Sequence, residues 1–165
     1  SEEIYFEIIR KKTASLIASC CACGASSTGA TDESVRRMWK FGELAGTAFQ
    51  IKDDLFDYQK DNKTGKGHGT DIRDQKMTLP LIWLLNNSEW REKRRIINIV
   101  KNHPDDPLQV AMLVERVHNS GGIDYAMRRM EEYRDRALEL LYQYPDNEYR
   151  RALAELVLYT TSREK

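Results

Sequence analysis

The sequence predicts an all-α fold. Apolar residues recur every three or four positions through most of the chain, and these segments end at breakers such as "GASSTGA", "HPDDP", "SGG" and "YPDN". Alternation of apolar and polar residues, which would indicate strands, never extends beyond a few positions. The 165 residues have the length of one ordinary domain, so residues 1–165 are expected to share one core.

The first two predicted helices cover most of the first third of the chain. Ser1 can cap a helix that carries a spaced set of isoleucines and ends near Gly24. A second helix begins at Thr31 and runs to about Tyr58, with Asp32 in its first turn, where negative charge suits the helix dipole.

A polar, glycine-rich stretch, "KDNKTGKGHGTDIRDQK", separates these helices from the rest. Loops of this length in a compact domain are usually functional or disordered, and we expect this one to become ordered only with a ligand. After it, Thr78 can cap a helix with Pro80 in its first turn and the apolar run "LPLIWLL". Four further helices are predicted at 89–102, 107–119, 122–144 and 146–162.

The overall charge excludes several kinds of partner. Twenty-six basic residues balance twenty-six acidic ones, so we expect no binding to nucleic acid and no basic amphipathic segment that would call for a membrane. No apolar run has the length of a membrane span, and "SEEIYFEIIR" lacks the features of a secretion signal. The expected location is cytoplasmic, without stable membrane insertion.

Three cysteines are clustered in "CCAC", at Cys20, Cys21 and Cys23. Their odd number and the absence of distant partners argue against a disulfide framework. We expect small, buried helical thiols, with a redox or metal role as the alternative.

One face of the second helix combines small residues, an amide and carboxylates. At about 100° per residue, the positions within a stripe of roughly 80° are Gly42, Gly46, Gln50, Asp53 and Asp57, with Asp54 on its shoulder. Unpaired carboxylates on a helix surrounded by apolar neighbours would be costly, and Mg²⁺ would relieve that cost because it prefers carboxylate oxygen. An exposed acidic helix face is the alternative.

Basic residues lie on both sides of this acidic face in the sequence. Lys66, Arg73 and Lys76 follow it, while Lys11 and Lys12 interrupt the apolar pattern of the first helix. Cations, a flexible backbone and a metal-binding face together suit a polyphosphate leaving group. Each basic residue alone could instead be an ordinary solvated charge.

These motifs resemble a known family. The stretches "RKKTASLIASC", "FGELAGTAFQIKDDLFDY" and "TGKGHGTDIRDQKMTLPLI" are similar to the second half of a trans-isoprenyl diphosphate synthase of the polyprenyl synthetase family, and the similarity continues through "SGGIDYA". The resemblance implies the carboxy-terminal half of an isoprenoid-synthase-type helical bundle. It also implies condensation of isopentenyl diphosphate with an allylic diphosphate to give an all-trans polyprenyl diphosphate, with octaprenyl as the expected length.

The resemblance also assigns roles to residues. Asp53, Asp54 and Asp57 match the family's second aspartate-rich motif, which holds Mg²⁺ against the allylic diphosphate. Lys12 matches the lysine that binds this diphosphate, and Lys66 and Lys76 match two further diphosphate contacts. Thr13 and Gln50 match residues whose oxygens face the developing carbocation.

One large feature of the family is missing. No second "DDxxD" occurs, and the carboxylates of "HPDDP" lie between prolines, where a capped turn is expected. The resemblance therefore implies a missing amino-terminal half, a chain that is inactive alone, and a homodimer at full length. A non-catalytic helical subunit that retains the fold is the alternative.

Overall fold

The computed structural model describes residues 1–59 and 69–163. The helices in these residues are α1 (Glu2–Ile9), α2 (Ser15–Ser27), α3 (Asp32–Phe56), α4 (Thr70–Arg73), α5 (Leu79–Asn86), α6 (Trp90–Asn102), α7 (Pro107–Asn119), α8 (Gly122–Leu141) and α9 (Glu148–Ser162). A π-helical segment, Arg10–Ala14, joins α1 to α2. No strand occurs within the described ranges, so the all-α prediction is confirmed.

Several predicted boundaries agree with the structure. Pro107 occupies the first turn of α7, and the side chain of Asp106 accepts hydrogen bonds from Leu108 N and Gln109 N, so "HPDDP" is a helix cap as predicted. Asn147 caps α9 by accepting from Arg150 N.

Two differences concern Gly24 and the polar stretch. Gly24 lies inside α2, which continues to Ser27, because a single glycine weakens a helix without having to end it. The polar stretch contains the short helix α4 near its end. Residues 60–68, including Lys66, lie outside the described residues, so the prediction of ligand-dependent order is not tested.

The chain divides into two compact units. Among the described residues, those within Ser1–Tyr5 and Asp53–Met127 form the first unit. Its core is built from apolar side chains of α5, α6 and α7 together with Tyr58 and Ile72, both almost completely buried. The phenol of Tyr58 forms a hydrogen bond of 2.6 Å with Thr78 Oγ1, so the one polar group of this ring is satisfied.

The second unit comprises residues 6–52 and 128–163. Its core combines Phe41 and Leu44 of α3 with apolar residues of α8 and α9. In this unit α3 lies very close to α2 and to the π-helical segment. A Cβ at Gly42 would lie 2.7 Å from Ala18 Cα of α2, and one at Gly46 would lie 2.8 Å from Ala14 Cα of the π-helical segment. The small residues of the predicted stripe therefore allow backbone contact between helices.

Two other expectations can be compared with the structure. Within residues 1–59 and 69–163, none of the helices combines the length and apolar content that crossing a bilayer requires. The cysteines lie in α2 as predicted, but Cys20 and Cys23 are exposed and Cys21 is half-buried. None of the three is buried, so the prediction of buried thiols is wrong.

Candidate functional site

The three aspartates lie at the carboxyl end of α3, in the first unit. Asp53 and Asp54 belong to the last turn of the helix, which ends at Phe56, and Asp57 follows directly. Asp53 is exposed, whereas Asp54 and Asp57 are half-buried. The carboxyl end of a helix carries partial negative charge, and no basic residue occurs in this last turn. The dipole of α3 by itself therefore disfavours carboxylates at this end and favours a cation.

Asp54 is held by a buried tyrosine. Tyr5 of α1 is 5% exposed, and its hydroxyl donates a hydrogen bond of 2.7 Å to Asp54 Oδ2. Burial, together with the charge of Asp54, raises the pKa of Tyr5 well above its usual value, so the phenol stays a neutral donor. Sequence analysis missed Tyr5, because a single tyrosine in an apolar helix carries no specific pattern.

Asp57 links the end of α3 to α4. Its Oδ1 accepts from Thr70 N at 2.9 Å and its Oδ2 from Asp71 N at 3.0 Å, while its carbonyl accepts from Gly69 N at 3.2 Å. Burial raises the pKa of the Asp57 carboxyl, and the amide hydrogen bonds act in the opposite direction. Each carboxylate oxygen has a second lone pair, so these bonds still allow metal ligation.

Lys76 is engaged with acidic neighbours on the chain segment that follows Asp57. Its Nζ lies 2.7 Å from Asp74 Oδ2 and 2.9 Å from Asp71 Oδ1, and these bonds raise the pKa of Lys76. The ammonium is half exposed, and exposed pairs of this kind contribute at most about 1 kcal/mol. An incoming anion could therefore compete for Lys76 at little energetic cost.

A separate group of predicted residues lies in the second unit. Lys12 and Thr13 belong to the π-helical segment, a distortion found frequently at functional sites. Thr13 Oγ1 donates a hydrogen bond of 2.9 Å to Gln50 Oε1, and Lys12 is exposed. The structure thus brings Thr13 and Gln50 together, while their predicted role toward a carbocation stays a prediction.

The carboxylate oxygens of this site are suitable ligands for Mg²⁺, although the described side chains do not form a complete coordination shell. Carboxylate oxygen is the ligand that Mg²⁺ prefers, and the ion usually keeps several waters and substrate oxygens in its shell. Among residues 1–59 and 69–163, no three His, Cys, Asp or Glu side chains converge as a metal site. Ligation by Asp53, Asp54 and Asp57 therefore stays a prediction.

The substitution Tyr5→Phe tests the support of Asp54. It removes the hydroxyl donor from a half-buried carboxylate, and hydrogen bonds to charged groups contribute about 1.5–3 kcal/mol. We expect the free energy of unfolding in urea to fall by about 2 kcal/mol. Tyr149→Phe is the matched control, because Tyr149 is 73% exposed, and it should change stability by less than ~0.5 kcal/mol. Equal effects of the two substitutions would argue against a role for the Tyr5 hydroxyl.

Comparison with known proteins identifies the family. The Polyprenyl synthetase family model matches residues 1–117. The chain is 37% identical over 164 residues to a nonaprenyl diphosphate synthase from Mycobacterium tuberculosis, covering 99% of this chain and 49% of the relative. It is 31% identical over 166 residues to an octaprenyl diphosphate synthase from Escherichia coli, with 100% and 51% covered.

Solved structures agree with these relatives. A polyprenyl synthase from Caulobacter crescentus, complexed with calcium and isoprenyl diphosphate, superposes with a TM-score of 0.90 at 33% identity, covering 99% of this chain and 50% of that chain. A geranylgeranyl pyrophosphate synthase from Bacteroides thetaiotaomicron gives a TM-score of 0.89 at 38% identity, with 99% and 53% covered. The chain spans about half the length of these proteins, in agreement with the predicted carboxy-terminal half of the fold. It belongs to the polyprenyl synthetase family.

Proposed function

We propose that this chain provides the carboxy-terminal half of a trans-prenyltransferase that condenses isopentenyl diphosphate with an allylic diphosphate. The observation that carries the proposal is the set Asp53, Asp54 and Asp57 at the negative end of α3, in a chain that matches the Polyprenyl synthetase family over residues 1–117. The three carboxylates would hold Mg²⁺, and the bound ion would supply positive charge to compensate a diphosphate leaving group.

The proposed roles of the other site residues follow from their charge. Lys12, Lys66 and Lys76 bind diphosphate oxygens, because ammonium groups compensate the negative charge that develops on the leaving group. Thr13 and Gln50 offer neutral oxygens to the allylic cation and stabilise its positive charge without quenching it. The hydrogen bond between Thr13 and Gln50 supports this assignment, since it fixes the orientation of the amide.

The product is an all-trans polyprenyl diphosphate. The names of similar proteins include heptaprenyl, octaprenyl and nonaprenyl diphosphate synthases, and also a short chain isoprenyl diphosphate synthase and a geranylgeranyl pyrophosphate synthase. A medium or long chain is the proposal, because most of the named curated relatives make one. Octaprenyl is the length that we propose to test first.

The partners are the remaining half of the synthase and, at full length, a second copy in a cytoplasmic homodimer. A non-catalytic subunit is not favoured, because the similar proteins are named as synthases.

Residues 1–165 alone should show no prenyl transfer above background with Mg²⁺ and both substrates. The reason is that most of the isopentenyl diphosphate site is expected in the missing half. The measurement is incorporation of labelled isopentenyl diphosphate, with the full-length protein as the positive control. Clear turnover by residues 1–165 would contradict the assignment as half an enzyme.

Thermal unfolding tests the metal and diphosphate site directly. A ligand present at a hundredfold excess over its dissociation constant stabilises the fold by about 2.7 kcal/mol. Diphosphate oxygens can complete the coordination of Mg²⁺, so Mg²⁺ and inorganic diphosphate together should raise Tm by more than the sum of their separate effects. Asp53→Asn should abolish the excess. Additive effects in the unsubstituted protein would overturn the proposed metal site and favour an exposed acidic face.

A further inference from the structure

Helix α6 has two sharply different faces. Ile96, Ile99 and Val100 are buried in the core of the first unit. The opposite side, which we call the basic face, is exposed and carries Trp90, Arg91, Arg94, Arg95, Ile97 and Lys101. At about 100° per residue these six positions occupy an arc of roughly 160°. The exposed Asn98 and Asn102 lie within the same arc. The basic face is therefore a polar and largely basic stripe along a helix of 13 residues, about 20 Å long.

The charge of α6 is strongly one-sided. The helix contains five basic residues and one acidic residue, Glu92. Glu92 is half-buried and is paired with Arg116 of α7, at 2.6 Å. Glu89, directly before the helix, is the nearest exposed carboxylate in the sequence. The prediction of no basic amphipathic segment is therefore wrong for α6, because the zero net charge of the whole chain conceals this local excess.

Large apolar side chains lie at one edge of the same stripe. Trp90 is 65% exposed and Ile97 is 43% exposed. The guanidinium of Arg94 lies over the Trp90 ring, 4.9 Å from its centroid, which places positive charge and an amphipathic ring side by side. Tryptophan concentrates at membrane interfaces, where its ring meets lipid headgroups.

We propose that the basic face of α6 binds the surface of an anionic lipid bilayer. Its arginines and lysine pair with lipid phosphates, while Trp90 and Ile97 enter the headgroup layer. The apolar side of α6 stays in the protein core, so the contact is peripheral and involves no spanning segment. The apolar edge favours a bilayer over nucleic acid, whose phosphates would leave Ile97 in water. The proposal rests on α6 and not on prenyl transfer.

Vesicle co-sedimentation of the full-length protein tests this surface. We expect binding to phosphatidylcholine vesicles that contain phosphatidylglycerol, little binding to phosphatidylcholine alone, and weakening as salt is added. Each basic residue near an anionic surface contributes about fivefold in affinity. The triple variant R91Q/R94Q/R95Q should therefore bind on the order of a hundredfold more weakly.

A matched control separates the basic face from total charge. The variant R36Q/R128Q/R151Q removes the same charge from exposed positions of the second unit, and it should bind as the unsubstituted protein does. Far-ultraviolet circular dichroism confirms that both variants are folded. Equal losses in the two variants, or no binding to phosphatidylglycerol vesicles, would overturn the proposal.

The fluorescence of Trp90 reports the contact itself. Phosphatidylglycerol vesicles should shift the emission of the protein to shorter wavelength, and Trp90→Phe should abolish most of this shift. A shift that persists in Trp90→Phe would overturn the proposed orientation.

A DNA-binding assay distinguishes a bilayer from nucleic acid. If the protein binds short duplex DNA but not vesicles, and R91Q/R94Q/R95Q removes the DNA binding, the surface is reassigned to nucleic acid.

Discussion

Asp53→Ala should reduce the rate of prenyl transfer by the full-length protein by well over tenfold. The substitution removes a carboxylate from the negative end of α3, where we propose that it binds Mg²⁺ against the leaving diphosphate. Tenfold in rate corresponds to ~1.4 kcal/mol of transition-state stabilisation. The measurement is steady-state turnover at saturating Mg²⁺, with circular dichroism to verify folding.

Asp32→Ala provides the matched control for Asp53. Asp32 is also an exposed aspartate of α3, but it lies in the first turn, at the opposite end of the same helix. Its loss should leave the rate unchanged and reduce stability only slightly, because a first-turn carboxylate contributes about 0.3–1 kcal/mol. If Asp53→Ala costs less than tenfold, or no more than Asp32→Ala, a direct metal role for Asp53 is excluded.

Gly42→Ala should destabilise the fold by about 3 kcal/mol, a large effect for one methyl group. The added Cβ would lie 2.7 Å from Ala18 Cα and 2.9 Å from the carbonyl oxygen of Ile17. Both are backbone atoms, so no side-chain rotation can relieve the clash and α2 must move away from α3. The free energy of unfolding in urea measures the loss.

Gly24→Ala should have the opposite effect and raise the free energy of unfolding. Gly24 lies inside α2, and nothing stands within 4 Å of the position that its Cβ would take. Alanine there restricts the unfolded chain and favours the helix, which should raise stability by about 0.5–1 kcal/mol. If both substitutions stabilise, the close approach of α2 and α3 at Gly42 is not present in solution.

The helices could be predicted from sequence because the end of a helix depends mainly on residues close to it in the chain. Pro80 at α5, and Asp106 and Pro107 at α7, act through neighbours a few residues away, so their effect is visible in a short window. Thr78 precedes α5 as predicted, but its hydroxyl bonds to Tyr58 and does not cap the helix. The π-helical segment Arg10–Ala14 was missed, because nothing in "RKKTA" distinguishes it from an ordinary helical turn.

The sequence predicts which residues belong to the candidate site, but not which of them contact one another. The stripe on α3 and the neighbouring basic residues follow from spacing and charge. The bond between Tyr5 and Asp54 joins residues 49 positions apart, and the bond between Thr13 and Gln50 joins residues 37 apart. Such contacts depend on how helices pack, which one sequence does not reveal. The engagement of Lys76 with Asp71 and Asp74 was likewise not foreseen.

The hydrogen bonds between Asp57 and residues 69–71 also affect which insertions and deletions the protein can tolerate. They tie the chain directly before the segment 60–68 to the chain directly after it, so the distance that this segment must bridge is set by its anchors. The entropy of closing a segment between fixed ends grows only with the logarithm of its length, and a doubling costs about 0.6 kcal/mol. Insertions and deletions between these anchors should therefore be tolerated by the fold, and selection on this segment can act on its chemistry with little constraint from stability.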